Sequence, residues 1–168
     1  MHQYLVVANR TLGGPELLAA IRERMDRGPA AFWVLVPATP TSYLINDFNA
    51  LSFAFPIEPD VAPSAADIAA VEPDISAATV RLDTELRQLR AIGAEAAGAV
   101  GDADPLRAIE AALAERAFDE IILSTLPPGL SRWLALDLPR RLRRRTAVPL
   151  TVVTVRERPV PPGPDPGL

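Results

Sequence analysis

The chain has 168 residues, enough for one α/β domain with a hydrophobic core, and its 17 basic and 21 acidic residues leave a net charge of −4. This acidic balance argues against a protein built to coat nucleic acid, and no apolar run approaches the roughly 18 residues that span a bilayer. With no cysteine, and with a single histidine (His2) in a terminus expected to fray, the sequence predicts neither thiolate nor imidazole chemistry and favours a cytoplasmic location.

The chain begins with a βαβ pattern. Residues 4–8 are a short apolar run typical of a buried parallel strand. Residues 13–15 (GGP) predict the start of a helix, and Gly28 and Pro29 predict its end. Residues 32–36 (FWVLV) form the next predicted strand, which ends at Pro37. Two parallel strands joined by a helix predict a right-handed crossover.

Residues 39–76 interrupt this alternation. They contain five prolines and four of the nine aromatic residues of the chain. A connection of this length is usually a lid over a ligand, a binding loop or a disordered insert. Clustered apolar rings also suit a loop that covers the core or a contact between subunits. The sequence leaves these interpretations open.

The alternation resumes after this insert. Leu82, Leu86 and Leu89 are spaced as one face of a helix over residues 77–90, which Gly93 ends. Residues 94–100 are rich in alanine, and we interpret them as a strand chiefly from their neighbours. The pair Asp104 and Pro105 then predicts a capped helix that ends near residue 117, with Asp102 in the preceding turn.

The last ordered segment, residues 119–155, reads as strand, turn, short helix, second helix and strand. Its first strand contains the apolar run 121–123, which stops at Ser124 and Thr125 at the strand end, and its last strand is 150–155. The tail 156–168 has five prolines and no apolar periodicity, so we expect it to be disordered. Residues 1–155 are therefore predicted to form one α/β domain, with an open five-stranded parallel sheet and helices on both faces.

The run of arginines at 140–145 (RRLRRR) has two interpretations. It can bind nucleic acid or phosphate, or it can form the solvated face of a helix whose late arginines favour the C-terminal dipole. Because the whole chain is acidic, we prefer the second interpretation.

The segment 119–155 resembles the C-terminal half of a universal stress protein domain. That family has a Gly-Leu-x-Arg segment, a helix ending in basic residues and a Pro-Val-x-Val-Val final strand. Residues 129–132 (GLSR), 140–145 (RRLRRR) and 149–153 (PLTVV) stand in those places here. The resemblance covers residues 3–36 and 78–155. It implies a Rossmann-like sheet of strand order 3-2-1-4-5 and a homodimer formed through the final strand, residues 150–155.

ATP-binding members of that family hold the phosphates with the pattern Gly-x2-Gly-x9-Gly-Ser/Thr, from which this chain departs. Ser124 stands at the first glycine, and residues 136–137 (LD) stand at the last pair. Pro127-Pro128 and Pro139 lack the N–H groups that would bind phosphate. Asp137 is predicted to cap the last helix and to repel an anion there. We therefore do not expect ATP to bind in the family's manner, although the resemblance keeps ATP and AMP as candidate ligands.

Ligands of open parallel sheets bind at the carboxyl ends of the strands, which places the candidate site between the predicted first and fourth strands. Ser124 and Thr125 either orient a ligand there or satisfy the backbone of a turn. Ser131 either caps a short helix or, with Arg132, binds an anion. The candidate site residues are Ala8, Asn9, Arg10, Thr11, Pro37, Ala38, Gly101, Ser124, Thr125, Gly129, Ser131 and Arg132.

The sequence supports three hypotheses of function. The first is a non-catalytic regulatory or small-ligand-binding domain of the universal stress type, because neither a Ser/His/Asp set nor a metal cluster can be identified in the sequence. The second is a nucleotide-binding protein with weak ATPase activity, in which Arg10 or Arg132 replaces the lost glycine-loop amides. The third is a dimerisation scaffold without a ligand, paired along its final strand.

Overall fold

The computed structural model describes residues 1–8, 13–38, 75–127 and 137–155. Within these ranges the chain forms five strands and four helices. None of these helices combines the length and apolar character needed to cross a membrane. In chain order the elements are β1 His2–Val7, α1 Pro15–Asp26, β2 Ala30–Pro37, α2 Ile75–Ala91, β3 Glu95–Gly101, α3 Pro105–Glu115, β4 Glu120–Thr125, α4 Leu138–Arg145 and β5 Leu150–Thr154.

The five strands form a single parallel sheet in the order β3-β2-β1-β4-β5. The central strand β1 pairs with β2 on one side and with β4 on the other, so that Val6 lies between Val34 and Ile122. The predicted α/β fold and the strand order implied by the resemblance are both confirmed.

Side chains alternate between two faces of this sheet, which we name face A and face B. Face A packs against α1 and α2 and includes Tyr4, Val6 and Val34. Face B packs against α3 and α4 and includes Leu5, Val7 and other residues of that core. The central strands are buried on both faces, which explains why β1, β2 and β4 carry near-continuous apolar runs.

The predicted starts of α1 and α3 agree with the structure. Pro15 occupies the first turn of α1, directly after Gly14. The Asp104 carboxylate accepts a hydrogen bond from the backbone N–H of Leu106 at 2.8 Å and caps α3. Asp102 accepts one from the backbone N–H of Asp104 at 2.8 Å, so both aspartates have the structural roles that the sequence predicted.

A buried ion pair attaches the last turn of α1 to the sheet. The Arg24 side chain is 7% exposed and donates to Glu120, the first residue of β4, with an Nη2–Oε1 distance of 2.6 Å. Thr151 of β5 donates its hydroxyl to the same Glu120 oxygen at 2.6 Å. One carboxylate thus connects a helix and two adjacent strands.

Several predicted boundaries were wrong. His2 does not lie in a frayed end but in the first position of β1, where its N–H donates to the Pro29 carbonyl at 2.9 Å. Ile75 and Ser76 belong to α2 and not to the predicted insert 39–76. The rest of that insert, the short helix expected after the fourth strand and the tail 156–168 lie outside the described residues.

The arginines of α4 are exposed, which both interpretations of the arginine run require. Leu138 and Leu142 of the same helix are buried on face B. Arg145 pairs with Glu110 of α3 at 3.3 Å, and both side chains are largely in solvent. A surface pair of this kind contributes little to stability.

Candidate functional site

The carboxyl ends of β1 and β4 lie side by side, and their chains leave toward opposite faces of the sheet. After β1 the chain passes to α1 on face A, and after β4 it passes to α4 on face B. Such a topological switch point leaves a crevice in which open α/β sheets bind ligands. The predicted site residues in the described ranges lie along this edge of the sheet.

Four of the predicted residues are explained by packing at this edge. Ala8 is buried after β1, and its N–H donates to the Leu35 carbonyl at 3.3 Å. Pro37 ends β2 opposite Gly101, and the Ala38 N–H donates to the Gly101 carbonyl at 3.0 Å. These residues form backbone walls of the crevice and offer no side-chain chemistry.

Gly101 has a steric reason to be glycine. A Cβ at this position would lie 2.8 Å from both the Ala108 Cβ and the Leu35 Cδ1 atoms. A glycine at this position therefore lets α3 approach the end of β3 closely. This packing explains the glycine without a ligand.

Ser124 and Thr125 are the last two residues of β4, at the strand end where the sequence interpretation placed them. The Thr125 hydroxyl donates to the Leu126 carbonyl at 3.1 Å, and the Thr125 carbonyl accepts from the N–H of Val155 at 2.9 Å. Strand alternation directs Thr125 to face B and Ser124 to face A.

The Ser124 hydroxyl is the group at this edge that packing does not explain. Ser124 is 1% exposed, and within the described part of the chain its Oγ atom makes no hydrogen bond. Buried polar atoms of proteins are nearly always partnered, because an unpaired one costs about 1–3 kcal/mol. A hydroxyl held in this state at a switch point is suited to a ligand that supplies the missing bond.

The predicted capping role of Asp137 was wrong. Asp137 does precede α4, but its backbone is left-handed (φ 54°, ψ 33°) and its side chain makes no capping hydrogen bond. This conformation differs from the extended one in which a carboxylate reaches back to the helix N–H groups. The carboxylate lies 3.9 Å from Arg140 instead. Pro139 does occupy the first turn of α4, so one N–H is missing there as predicted.

The remaining predicted site residues, Asn9, Arg10, Thr11, Gly129, Ser131 and Arg132, lie outside the described residues. Among the described residues there is no group of three or more histidine, cysteine or carboxylate side chains that could hold a metal ion. The described part of the site therefore consists of a backbone crevice and a single unpartnered hydroxyl.

Sequence reasoning missed Glu85, which is 0% exposed and lies on the buried side of α2. Neither of its carboxyl oxygens has a hydrogen-bond partner that meets standard geometry within the described ranges. Burial raises the pKa of Glu85 to about 6, and the nearby backbone N–H of Gly13 lowers it only in part. The spacing Leu82, Glu85, Leu86 contained the signal, since position 85 falls on the apolar stripe that the leucines define.

Glu85 lies beside the turn that carries β1 into α1. Gly13 in this turn has a φ of +76°, and a Cβ there would collide with the side chain of Gln88. Only glycine therefore lets the turn approach α2 without strain. The buried carboxyl and the close approach of the two segments occur at the same place, at the start of α1.

In comparisons with known proteins, the chain matches no protein-family profile and no curated protein sequence.

Proposed function

We propose that this chain is a non-catalytic, small-ligand-binding regulatory domain of the universal stress type that acts in the cytoplasm. Its ligand would enter the crevice between the carboxyl ends of β1 and β4. The strand order β3-β2-β1-β4-β5 supports the family resemblance at the level of fold. The observation that carries the ligand-binding proposal is the buried, unpartnered hydroxyl of Ser124.

The preferred ligand is a nucleoside-like molecule without a triphosphate. The first turn of α4 has lost one N–H to Pro139, and the Asp137 carboxylate stands at the start of the same helix. Both features weaken the attraction of this helix for a highly charged anion. A hydroxyl or ring nitrogen of a nucleoside could instead bond with Ser124, which can donate and accept.

Thermal unfolding with millimolar AMP or millimolar ATP–Mg tests this proposal. A ligand at a hundredfold excess over its Kd stabilises the native state by about 2.7 kcal/mol, which raises Tm by several degrees. We expect AMP to raise Tm in the natural sequence and the Ser124→Ala variant to lose most of that shift. A shift that Ser124→Ala leaves intact, or no shift with AMP, would contradict the proposal.

One observation favours the alternative, a nucleotide-binding protein with weak ATPase activity. Because the Asp137 side chain does not cap α4, the N–H groups of the first turn, apart from the position of Pro139, are not bonded to it and can face a phosphate. This alternative requires Mg²⁺-dependent ATP hydrolysis that falls in Arg10→Ala or Arg132→Ala. A Tm shift with ATP–Mg but not with AMP would support it over the first proposal.

Self-association is the proposed mode of assembly. Among the described residues β5 is an edge strand that pairs only with β4, and its other edge is the one that a second copy of the chain would use. Light scattering after size exclusion would give the mass of a dimer for the natural sequence. We expect a charged residue at Val152 or Val153 to convert the dimer to monomer or aggregate, and a natural monomer would reject this arrangement.

A further inference from the structure

An open cleft of about 460 Å³ lies on face B at the amino ends of β1, β2 and β3, the end of the sheet opposite to the crevice. Gln3, Ala31 and Glu95 line it in register across these strands, and Ala31 and Ala97 form its apolar floor. Ordinary ligand pockets have volumes of roughly 300–1,000 Å³, so the cleft has room for a small molecule.

The cleft exists because the sequence places small residues where a helix does not cover the sheet. Ala31 and Ala97 leave a hollow beside Trp33, which stands in register with Ala97. The helix α3 packs on the upper part of face B and ends at Glu115, and Arg116 and Phe118 then form one side of the cleft. The apolar surface of this floor therefore remains accessible to a ligand.

A stacked cation forms the wall of the cleft. The Arg116 guanidinium lies over the Trp33 ring, 3.8 Å from its centroid. Stacking uses the face of the guanidinium and leaves its in-plane N–H donors free for a carboxylate. In the described part of the chain Arg116 has no carboxylate within ion-pair distance. The Trp33 ring thus fixes the position of the Arg116 guanidinium, while the guanidinium N–H groups remain available to a ligand.

An anion without an ion-pair partner among the described residues also lines the cleft. Glu95 is exposed on β3, diagonal to Trp33, at a Cα separation of roughly 8 Å. Like Arg116, it has no ion-pair partner among the described residues. The neighbouring Asp119 is already occupied, since it accepts a hydrogen bond from the Gln3 N–H at 2.7 Å. The cleft therefore offers one free charge of each sign beside an apolar floor.

We propose that this cleft binds a free α-amino acid with an aromatic side chain. The ligand carboxylate pairs with Arg116, its ammonium pairs with Glu95, and its ring covers the alanine floor beside Phe118. A simple carboxylate satisfies only Arg116 and is repelled by Glu95, and a simple amine satisfies only Glu95. The cleft is open to solvent, so we expect a Kd of roughly 1 mM.

The emission of Trp33 reports binding directly. The chain has two tryptophans, so a Trp133→Phe background leaves Trp33 as the single reporter. Phenylalanine, which tryptophan-selective excitation does not excite, is titrated in parallel with 3-phenylpropionate, which lacks the ammonium, and phenethylamine, which lacks the carboxylate. We expect a saturable change with phenylalanine and at least about tenfold weaker binding of each analogue, about one lost charge contact.

Substitutions of Arg116 and Glu95 test which side chain pairs with each charged group of the ligand. Arg116→Gln and Glu95→Gln should each weaken phenylalanine binding about tenfold, whereas Arg107→Gln, an exposed arginine of α3 outside the cleft, should leave it unchanged. Calorimetry of the Arg116 variant checks the result without relying on Trp33, whose emission Arg116→Gln itself alters. No saturable change with phenylalanine overturns the proposal, and so does equal binding of all three compounds.

Discussion

Two largely buried carboxyl groups on face A, one near each end of α1, differ in their hydrogen bonds. Glu120 meets the last turn of the helix and is bonded to Arg24 and Thr151. Glu85 meets the turn before the helix and has no hydrogen bond of standard geometry in the described part of the chain. The Glu120 carboxyl connects α1 to the sheet, whereas burial of the Glu85 carboxyl costs free energy that no such bond offsets.

The pKa values of the two groups move in opposite directions. Burial alone would raise the pKa of Glu120, but the hydrogen bonds from Arg24 and Thr151 outweigh it and lower that pKa. Burial raises the pKa of Glu85 to about 6, because only the Gly13 N–H opposes it. The folded state therefore favours the charged form of Glu120 at one end of α1 and the neutral form of Glu85 at the other.

Removing Arg24 should have the largest effect on stability. Arg24→Ala leaves the Glu120 carboxylate, whose side chain is 15% exposed, without its cation. Breaking a buried pair from one side typically costs about 3–5 kcal/mol, and we expect a loss near the lower limit because Thr151 still donates to Glu120. Urea unfolding at neutral pH measures this loss as a fall in the transition midpoint.

Arg27→Ala is the matched control for this prediction. Arg27 lies one turn away in the same region and pairs with Glu23, but both side chains are more than half exposed. Exposed pairs contribute little, so we expect a change of no more than about 0.5 kcal/mol. Equal losses in the two variants would show that burial of the Arg24–Glu120 pair is not what matters.

Glu85 should give the next largest effect, and it should depend on pH. The folded pKa lies above the unfolded one, so the stabilisation is fully present below about pH 4.5 and is lost as the pH rises through about 6. The rise in pKa from 4.5 to about 6 corresponds to about 2 kcal/mol. The free energy of unfolding of the natural sequence, minus that of Glu85→Gln, should therefore fall as the pH rises from 5 to 8. Any other effect of the substitution adds the same amount to this difference at every pH.

The control for this pH dependence is Leu82→Met, which changes a buried side chain of the same helix and removes no ionisable group. Its difference from the natural sequence should not change between pH 5 and 8. If the Glu85→Gln difference is equally flat, the buried carboxyl is not the group that titrates. Glu120 has the opposite sign, because its stabilisation is present above its unfolded pKa and disappears in more acidic solution as the pH falls through the lowered folded pKa.

The residues directly before α3 and α4 show the same contrast between a bonded and an unbonded carboxylate. The expected changes in stability are smaller here. Asp104 bonds to the Leu106 N–H, whereas Asp137 occupies the equivalent position of α4 without such a bond. We expect Asp104→Ala to destabilise the protein by about 1 kcal/mol and Asp137→Ala by less than about 0.5 kcal/mol. Thermal unfolding of both variants tests the assignment, which fails if the Asp137 variant loses as much as the Asp104 variant.

The fold was predictable because most elements have a local signal in the sequence, whereas β3 was interpreted chiefly from its neighbours. The apolar runs of β1 and β2, the leucine stripe of α2 and the Asp104–Pro105 pair need no knowledge of the rest of the chain. The strand order required more, because periodicity does not say which strands are neighbours, and it came from the resemblance to a family. The start of α2 was predicted two residues too late because Ile75 and Ser76 follow a proline-rich insert and carry no local signal of a helix.

The polar groups inside the fold were much harder to predict. Arg24 and Glu120 are 96 residues apart in sequence, and no local pattern connects them. The Trp33–Arg116 contact likewise joins a strand to the end of a later helix. Glu85 is the exception, since its position on the apolar stripe of α2 is visible in the sequence. A charged residue on a predicted buried face is therefore a signal from sequence alone that an ionisable group is held inside the fold.

Ser124→Ala should give the smallest change in stability and is the most informative about function. The Ser124 hydroxyl has no partner to lose in the described part of the chain, so its removal should be neutral or stabilise by up to about 1 kcal/mol. Thr151→Val removes a hydroxyl that does bond to a buried carboxylate, and it should destabilise by about 1–2 kcal/mol in the same unfolding assay. A destabilised Ser124→Ala variant would mean that the hydroxyl is already satisfied within the protein. A neutral or stabilised variant that also loses its response to AMP would mean that this hydroxyl is kept at a cost to stability because a ligand uses it.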